Sequence, residues 1–355
     1  MSDLSASLLP RRVLVFGARG YVGTYLVPRL LKQEGIMVRA AARSLAPLEA
    51  RNWQGVELVQ ADALVPESLP AAMEGVDTAY YLVHSMGAGK GFSKLDRHAA
   101  ENFARAAEAA GVRCIVYLGG LFPENADSEH LLSRRETGIT LREGPVPVIE
   151  IRAGIIVGPG SAAFEIMRDL VLNLPVMITP KWVHRKSPPI ALENLLEYLV
   201  RLPQVRGTLG RIFEAGGPEL LTYADMMRTL ARIAGTRPPL IIPVPVLTPA
   251  LSSRWLWLVT AVPTPVARAL VSGLRHDFFA DDAELRRLVP QRLLTFEESV
   301  RAVFDAEDRH GAIVVPSRID VAVGQIGGRQ AGHTVDDQHV VLGDARAGLL
   351  ADGTR

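Results

Sequence analysis

The chain contains one cysteine, Cys114, among 355 residues. A single thiol excludes an intrachain disulfide and a cysteine-rich metal centre, and it suits a reducing cytoplasm. Net charge is also scarce: 39 lysines and arginines face 38 aspartates and glutamates, which leaves +1 with histidines neutral. There is no basic arm or run of like charge, so nothing points to nucleic acid or an anionic membrane. The opening residues, MSDLSASLLPRR, lack the charged start and apolar core of a secretory leader. No apolar run approaches the roughly 20 residues of a spanning helix. The most apolar late stretch, Trp255–Val262, reads as core or interface, with a peripheral membrane contact left open. His84, His98, His130 and His184 show no ligand spacing with carboxylates, so no metal is expected. Ser85 does not sit in a G-x-S-x-G elbow. The segment GAGKG (87–91) lacks the frame of a P-loop and reads as a lip over a cofactor, with Lys90 in reach of a phosphate.

What is abundant is apolar sequence in regular alternation. Hydrophobic residues make up 48% and charged residues 22% of the chain, a globular balance. Short β-branched runs occur at Val13–Phe16, Met37–Ala41, Val56–Val59, Thr78–Val83, Cys114–Leu118 and Val146–Ile151. Helical periodicity lies between several of them, at Tyr21–Gln33, Asp96–Ala110 and Glu129–Arg142. Strand alternating with helix predicts an α/β fold with a doubly wound parallel sheet, a Rossmann arrangement over 12–153. Past Gly154, prolines and glycines become dense and short helices intervene. They begin at Ala162–Asn173 and continue with Glu193–Arg201, Tyr223–Ala234, Pro265–Gly273 and Phe296–Glu307. This predicts a smaller, mostly helical substrate or cap region over 154–308. Residues 311–355 carry no sustained period and read as a flexible tail.

The stretch VLVFGARGYVGTYLV (13–27) places Gly17, Gly20 and Gly23 between the first strand and first helix. Free backbone N–H groups and the helix dipole converge there on an anion. Gly17 permits the turn, Gly20 lets a pyrophosphate approach, and Gly23 lets the helix lie close. Tyr21 and Val22 open the helix. A reader of a ribose 2′-OH would be acidic at the end of the second strand. Here that strand ends in Arg43, and Arg19 lies in the loop itself. Two guanidiniums suit a 2′-phosphate, so NADP(H) is favoured over NAD(H). Asp62 follows the third strand, where it can take the adenine amino group, with Ala63 beneath, or cap a turn.

The motifs VFGARGYVG, ADALVPESL, YYLVHSMG, VYLGGL, IEIRAGIIVGPGS and PIALENLLEYL occur in the order of a known superfamily. The chain resembles the extended and atypical short-chain dehydrogenase/reductases, near their NmrA-like and complex I assembly-factor-like groups, over about Arg12 to Asp305. The resemblance implies that Leu82, Val83, His84 and Ser85 pack beside the cofactor and that Ala153 to Ile155 contact its nicotinamide side.

The resemblance also implies a Ser–Tyr–Lys catalytic set, and here the chain departs. The serine position falls at Gly119 or Gly120, the tyrosine position at His130 and the lysine position at Arg134. Two readings follow. In the first, an NADP(H)-dependent oxidoreductase uses His130 as a proton donor titrating near neutral pH. Arg134 fixes the cofactor, and His84 or Ser85 meets the substrate. In the second, a non-catalytic binder senses redox state or stabilises a partner complex. Phe164, Met167, Trp182, Met226, Trp255 and Trp257 are candidates for an apolar pocket, which favours a hydrophobic carbonyl or quinone-like ligand over a sugar nucleotide.

Overall fold

The computed structural model describes residues 12–85, 91–244, 262 and 264–310. The segments 86–90 and 245–261, the tail from 311, and thus Lys90, Trp255 and Trp257, lie outside them.

The chain begins with β1 (Arg12–Phe16), α1 (Tyr21–Leu31), β2 (Met37–Ala42), α2 (Ala46–Glu49), β3 (Val56–Gln60), α3 (Leu69–Met73) and β4 (Thr78–Tyr81). It continues with α4 (Phe92–Ala109), β5 (Cys114–Gly120), α5 (Glu129–Glu143) and β6 (Val148–Ala153). The strand expected over Thr78–Val83 ends at Tyr81, and residues 82–85 are irregular. The strand expected over Val146–Ile151 is shifted to Val148–Ala153, because the Pro147 ring cannot donate to a sheet ladder.

Later elements are shorter. They are β7 (Ile156–Val157), α6 (Ala162–Asn173), β8 (Val176–Pro180), β9 (Lys186–Ser187), β10 (Ile190–Ala191), α7 (Leu192–Arg201), β11 (Ile212–Ala215) and β12 (Leu221–Thr222). The described elements close with α8 (Tyr223–Ile233), β13 (Leu240–Val244), α9 (Thr264–Gly273), α10 (Ala283–Leu288) and α11 (Phe296–His310).

Seven strands form one parallel sheet in the order β11-β6-β5-β4-β1-β2-β3. Both faces are covered, as the near-continuous apolar strands require. Val13 and Val15 of β1 pack with Leu26 and Leu30 of α1 and Leu195 and Leu199 of α7. Leu14 and Phe16, one residue out of step, pack with Ala72 of α3 and Phe103 of α4. The period of two along a strand thus divides β1 between two cores. Phe103 is edge-on to Phe16 at 5.1 Å and to Tyr81 at 4.7 Å.

The chain after Gly154 serves two places. β11 and α7 complete the sheet layer, while α6, α8, α9 and α11 enclose a third core containing Phe164, Met226 and Phe296. This second group is the helical C-terminal region. Beside it β8 and β13 pair in parallel. Val176, Ile178, Leu240 and Ile242 on this pair remain exposed.

Candidate functional site

The first turn of α1 carries the clearest chemical feature. Its cap is Gly20, no side chain caps it, and no acidic residue lies in its first turn. The leading amides of a helix have no intrahelical acceptor, so this end faces outward with donors and a positive dipole. Gly17 has φ +95°, and a Cβ there would meet the Leu82 carbonyl at 3.1 Å. At Gly23 a Cβ would lie 2.4 Å from Gly17 O and 2.8 Å from Ala18 Cα. No larger residue lets α1 sit this close to the loop. The amides of Gly17 and Ala18 donate to Ala41 O, and Thr24 Oγ1 donates to Ala18 O, which fixes the loop against β2.

The other cofactor-binding candidates follow consecutive strand ends. Arg19 lies half-buried after β1, and Arg43 is exposed after β2. Asp62 and Ala63 follow β3, Val83 to Ser85 follow β4, and Ile155 follows β6. All therefore lie along the carboxyl edge of the sheet, where ligands of open α/β sheets bind. Asp62 is partly committed: its Oδ1 accepts from Leu64 N at 2.9 Å, and its own N–H donates to Ser68 Oγ at 2.9 Å. Ala63 O accepts from the buried Asn102 of α4 at 2.8 Å. Tyr21 does more than open the helix. Its hydroxyl is buried where a Cβ on Gly158 would be only 2.6 Å away, and its neighbour Tyr25 donates to Pro159 O at 3.0 Å. The two tyrosines hold the GPG turn (158–160) over the start of α1. Val22 is buried in the sheet-layer core.

α5 brings His130 and Arg134 to the same edge, one turn apart on one helix face. Ser128 caps that helix by accepting from Leu131 N at 3.3 Å. The Arg134 guanidinium donates to Leu118 O at the end of β5 and lies 5.5 Å over the Tyr117 ring. Its charge and that of His130 both act on His84, which burial chiefly, then Arg134, pushes down to about 3. The His84 side chain is nonetheless exposed. That exposure keeps it in contact with solvent, which weakens the effect of burial. His130 is half-buried, and burial followed by Arg134 pushes it down to about 4. This corrects the expectation of a histidine titrating near neutrality: His130 is a neutral imidazole at physiological pH, whose donor is an N–H rather than an imidazolium.

At the serine position, a Cβ on Gly119 would meet Glu150 Oε1 at 3.2 Å and Tyr117 Cε1 at 3.3 Å. A Cβ on Gly120 would find only Ala153 O, at 4.0 Å. Neither residue supplies a hydroxyl. Cys114 is remote in character: burial pushes its thiol up to about 12.

Asp96 emerges only in three dimensions. It is 4% exposed, its Oδ1 accepts from Ser85 N at 2.6 Å and its Oδ2 accepts from Ser133 Oγ at 2.8 Å. It thereby ties the loop of His84 to the helix of His130 and Arg134. One signal for it exists in the sequence, since it lies on the same helical stripe as Phe92, Ala99, Ala100 and Phe103, where a carboxylate is out of place.

A cavity of about 60 Å³ lies in the helical region, lined by Ile155 and walled by α6, β8, α8 and α9. Met167 and Trp182 line it as expected. Phe164 and Met226 do not: both are 0% exposed within the core behind it. Among the described residues no group of three His, Cys, Asp or Glu side chains is placed to hold a metal. Among them, too, no helix is long and apolar enough to cross a membrane.

The strand order and the glycine loop define a Rossmann α/β fold, and residues 17–139 match the family model described as NAD(P)H-binding. The chain is similar to two curated reductases. It is 29% identical over 231 residues to (4-alkanoyl-5-oxo-2,5-dihydrofuran-3-yl)methyl phosphate reductase of Streptomyces griseus, covering 63% of this chain and 74% of that one. It is 27% identical over 289 residues to ceramide reductase of Caulobacter vibrioides, covering 79% and 89%. Among solved structures, NADPH-dependent quinone oxidoreductase of Escherichia coli, complexed with NADPH, superposes with TM-score 0.66 at 20% identity over 82% of this chain and 99% of that one. Triphenylmethane reductase of Citrobacter sp., complexed with NADP(H), gives TM-score 0.66 at 19% identity over 82% and 99%. At such identities these two likenesses concern the fold.

Proposed function

We propose that this chain is an NADP(H)-dependent reductase of a hydrophobic carbonyl or quinone-like compound. The observation that carries the reading is a juxtaposition. The uncapped start of α1, the Arg19 and Arg43 loops, the His84–His130–Arg134 cluster and Ile155, which helps line an apolar cavity, share one sheet edge. In this reading 12–153 hold the cofactor and 154–308 supply most of the substrate pocket.

The residues present fit a dinucleotide. Amides from Tyr21 to Gly23 receive the pyrophosphate, with Gly20 leaving room for it, Arg19 and Arg43 take a 2′-phosphate, and Asp62 with Ala63 meets the adenine. Val83, His84, Ser85 and Ile155 flank the nicotinamide end. When bound, NADPH supplies the hydride. His130 acts as a neutral N–H donor that hydrogen-bonds and polarises the carbonyl oxygen, and the alkoxide left by hydride transfer takes its proton from solvent. Burial, then the Arg134 charge, keeps His130 neutral, and the same guanidinium stabilises a developing oxyanion. The two curated relatives are named as reductases, which supports the reaction type. The exposed apolar face of β8 and β13 supports a peripheral contact with a membrane or apolar partner. The single buried cysteine suits a cytoplasmic setting.

The test is turnover. In His130→Ala, substrate-dependent NADPH consumption falls about 10²- to 10⁴-fold while NADPH affinity barely moves. Unchanged turnover removes His130 from the chemistry.

A second reading, a non-catalytic NADP(H) sensor or assembly factor, draws on a different observation. Gly119 or Gly120 and His130 stand where the serine and tyrosine of the catalytic set would, and the Arg134 guanidinium is partly spent on Leu118 O. Tight NADPH binding with no consumption across a carbonyl and quinone panel supports it.

A further inference from the structure

Asp96 is not the only polar side chain that α4 sends to the carboxyl edge of the sheet. Six residues further along the helix, Asn102 reaches a different loop. It is 2% exposed, on a helix face otherwise packed through Ala99, Phe103 and Ala107. A buried amide is costly unless its groups are paired, and here both ends are. Its Nδ2 donates to Ala63 O at 2.8 Å, and its Oδ1 accepts from Arg105 Nη2 at 2.5 Å. A guanidinium carries donors only. Arg105 therefore draws the amide oxygen toward itself and aims the amide nitrogen at Ala63.

Ala63 belongs to the turn that follows β3. Asp62 Oδ1 accepts from Leu64 N at 2.9 Å, and Ser68 Oγ accepts from Asp62 N at 2.9 Å. These contacts stay within 62–68 and shape the turn. Its root is fixed by Ala61 N, which donates to Ala42 O at 3.0 Å, and its crest by Asn102. Among the described residues no partner holds Asp62 Oδ2.

We propose that Asn102 is a positioning residue for the base of the nucleotide: by holding Ala63 O it places Asp62 Oδ2 to accept the exocyclic amino group of adenine. The inference rests on the adenine role proposed above for Asp62 and adds what makes that role selective. A hydrogen bond weakens steeply once its angle is lost, so the carboxylate reads the base only while the turn is held. Hypoxanthine carries a carbonyl where adenine carries the amino group. That oxygen faces the carboxylate as a second acceptor, and the same placement rejects it.

The experiment is equilibrium titration of the full chain with NADPH and with the reduced hypoxanthine analogue of NADPH, both followed by dihydronicotinamide fluorescence. The parent binds NADPH about 10- to 100-fold more tightly, as a hydrogen bond to a charged group implies. In Asn102→Ala that ratio falls to near one, through weaker NADPH binding, while the analogue's affinity barely changes. Arg105→Ala, at an exposed position, frees the amide to turn and lowers the ratio in the same direction, and it decides the matter if Asn102→Ala does not fold. A merely structural Asn102 would weaken both nucleotides equally and leave the ratio intact. That result, or an unchanged ratio in either variant, overturns the inference and spares the reductase reading. A parent that binds both nucleotides alike overturns the inference together with the adenine role of Asp62. A parent that binds neither sinks the dinucleotide reading as a whole.

Discussion

Tyr117 and Arg134 hold each other across the seam between β5 and α5. The Tyr117 hydroxyl donates to Arg134 O at 2.8 Å, and the Arg134 guanidinium lies 5.5 Å over the Tyr117 ring. The buried interior strand β5 thereby sets the height of the helix that carries His130. Tyr117→Phe removes one hydrogen bond and should cost about 1 kcal/mol of stability, read by urea denaturation. The helix then loses its anchor, so turnover falls more than NADPH affinity does. Unchanged stability would detach α5 from this contact.

Asp96 is a second anchor for the same cluster. Asp96→Ala leaves Ser85 N–H and Ser133 Oγ without their acceptor in a buried place. The expected loss is about 2 kcal/mol or more, accompanied by loosening of residues 82–85 in hydrogen exchange. Wild-type protection at Ser85 in the variant contradicts the role.

Gly23→Ala should abolish dinucleotide binding. The new Cβ would lie 2.4 Å from Gly17 O, and backbone cannot yield as a side-chain tip does. The helix start must retreat, carrying its amides with it. Equilibrium titration is the check, with loss of at least about tenfold expected.

The glycines at the serine position are not equivalent. Gly120→Ser enters open space and should leave the melting temperature near that of the parent. Gly119→Ser presses on Glu150, which is 1% exposed and ion-paired with Arg142 and Arg152, and should lower it. The reverse order would mean that the strand end is turned the other way.

The two histidines set a pH dependence. Both are pushed below the ordinary 6.5, to about 3 for His84 and about 4 for His130. Between those values and 6.5 the unfolded chain binds protons that the folded chain refuses. Stability is therefore full above about pH 6.5 and declines as pH falls toward 4. Replacing both with asparagine should flatten that decline. Imidazole titration by NMR reads the same effect directly, and a His130 midpoint near 6.5 would contradict it.

Much of this was legible in the sequence because its signals are local. β1, its glycines and α1 declare themselves within one run, and the alanine-rich α4 differs only in starting at Phe92. β11 was less legible: Ile212–Ala215 is four residues long and flanked by glycines, and its partner β6 lies far back in the chain. The candidate cofactor residues could be read because each follows a strand. Asp96 left only its misplaced charge on an apolar stripe, and its partners Ser85 and Ser133, like the Tyr117–Arg134 contact, meet only on folding. The perturbed histidines belong to that group as well, since their state depends on burial and on Arg134 rather than on residue type.

The most direct test of the central claim is an equilibrium titration with NADPH and NADH, comparing the parent chain with Arg43→Ala. The account predicts NADPH binding at least about tenfold tighter than NADH, as a charge-assisted pair at the 2′-phosphate implies, with that advantage lost in the variant and NADH binding unchanged. Equal affinity for both nucleotides, or an NADPH preference untouched by Arg43→Ala, would contradict the cofactor assignment. Failure to bind either would contradict the reductase itself.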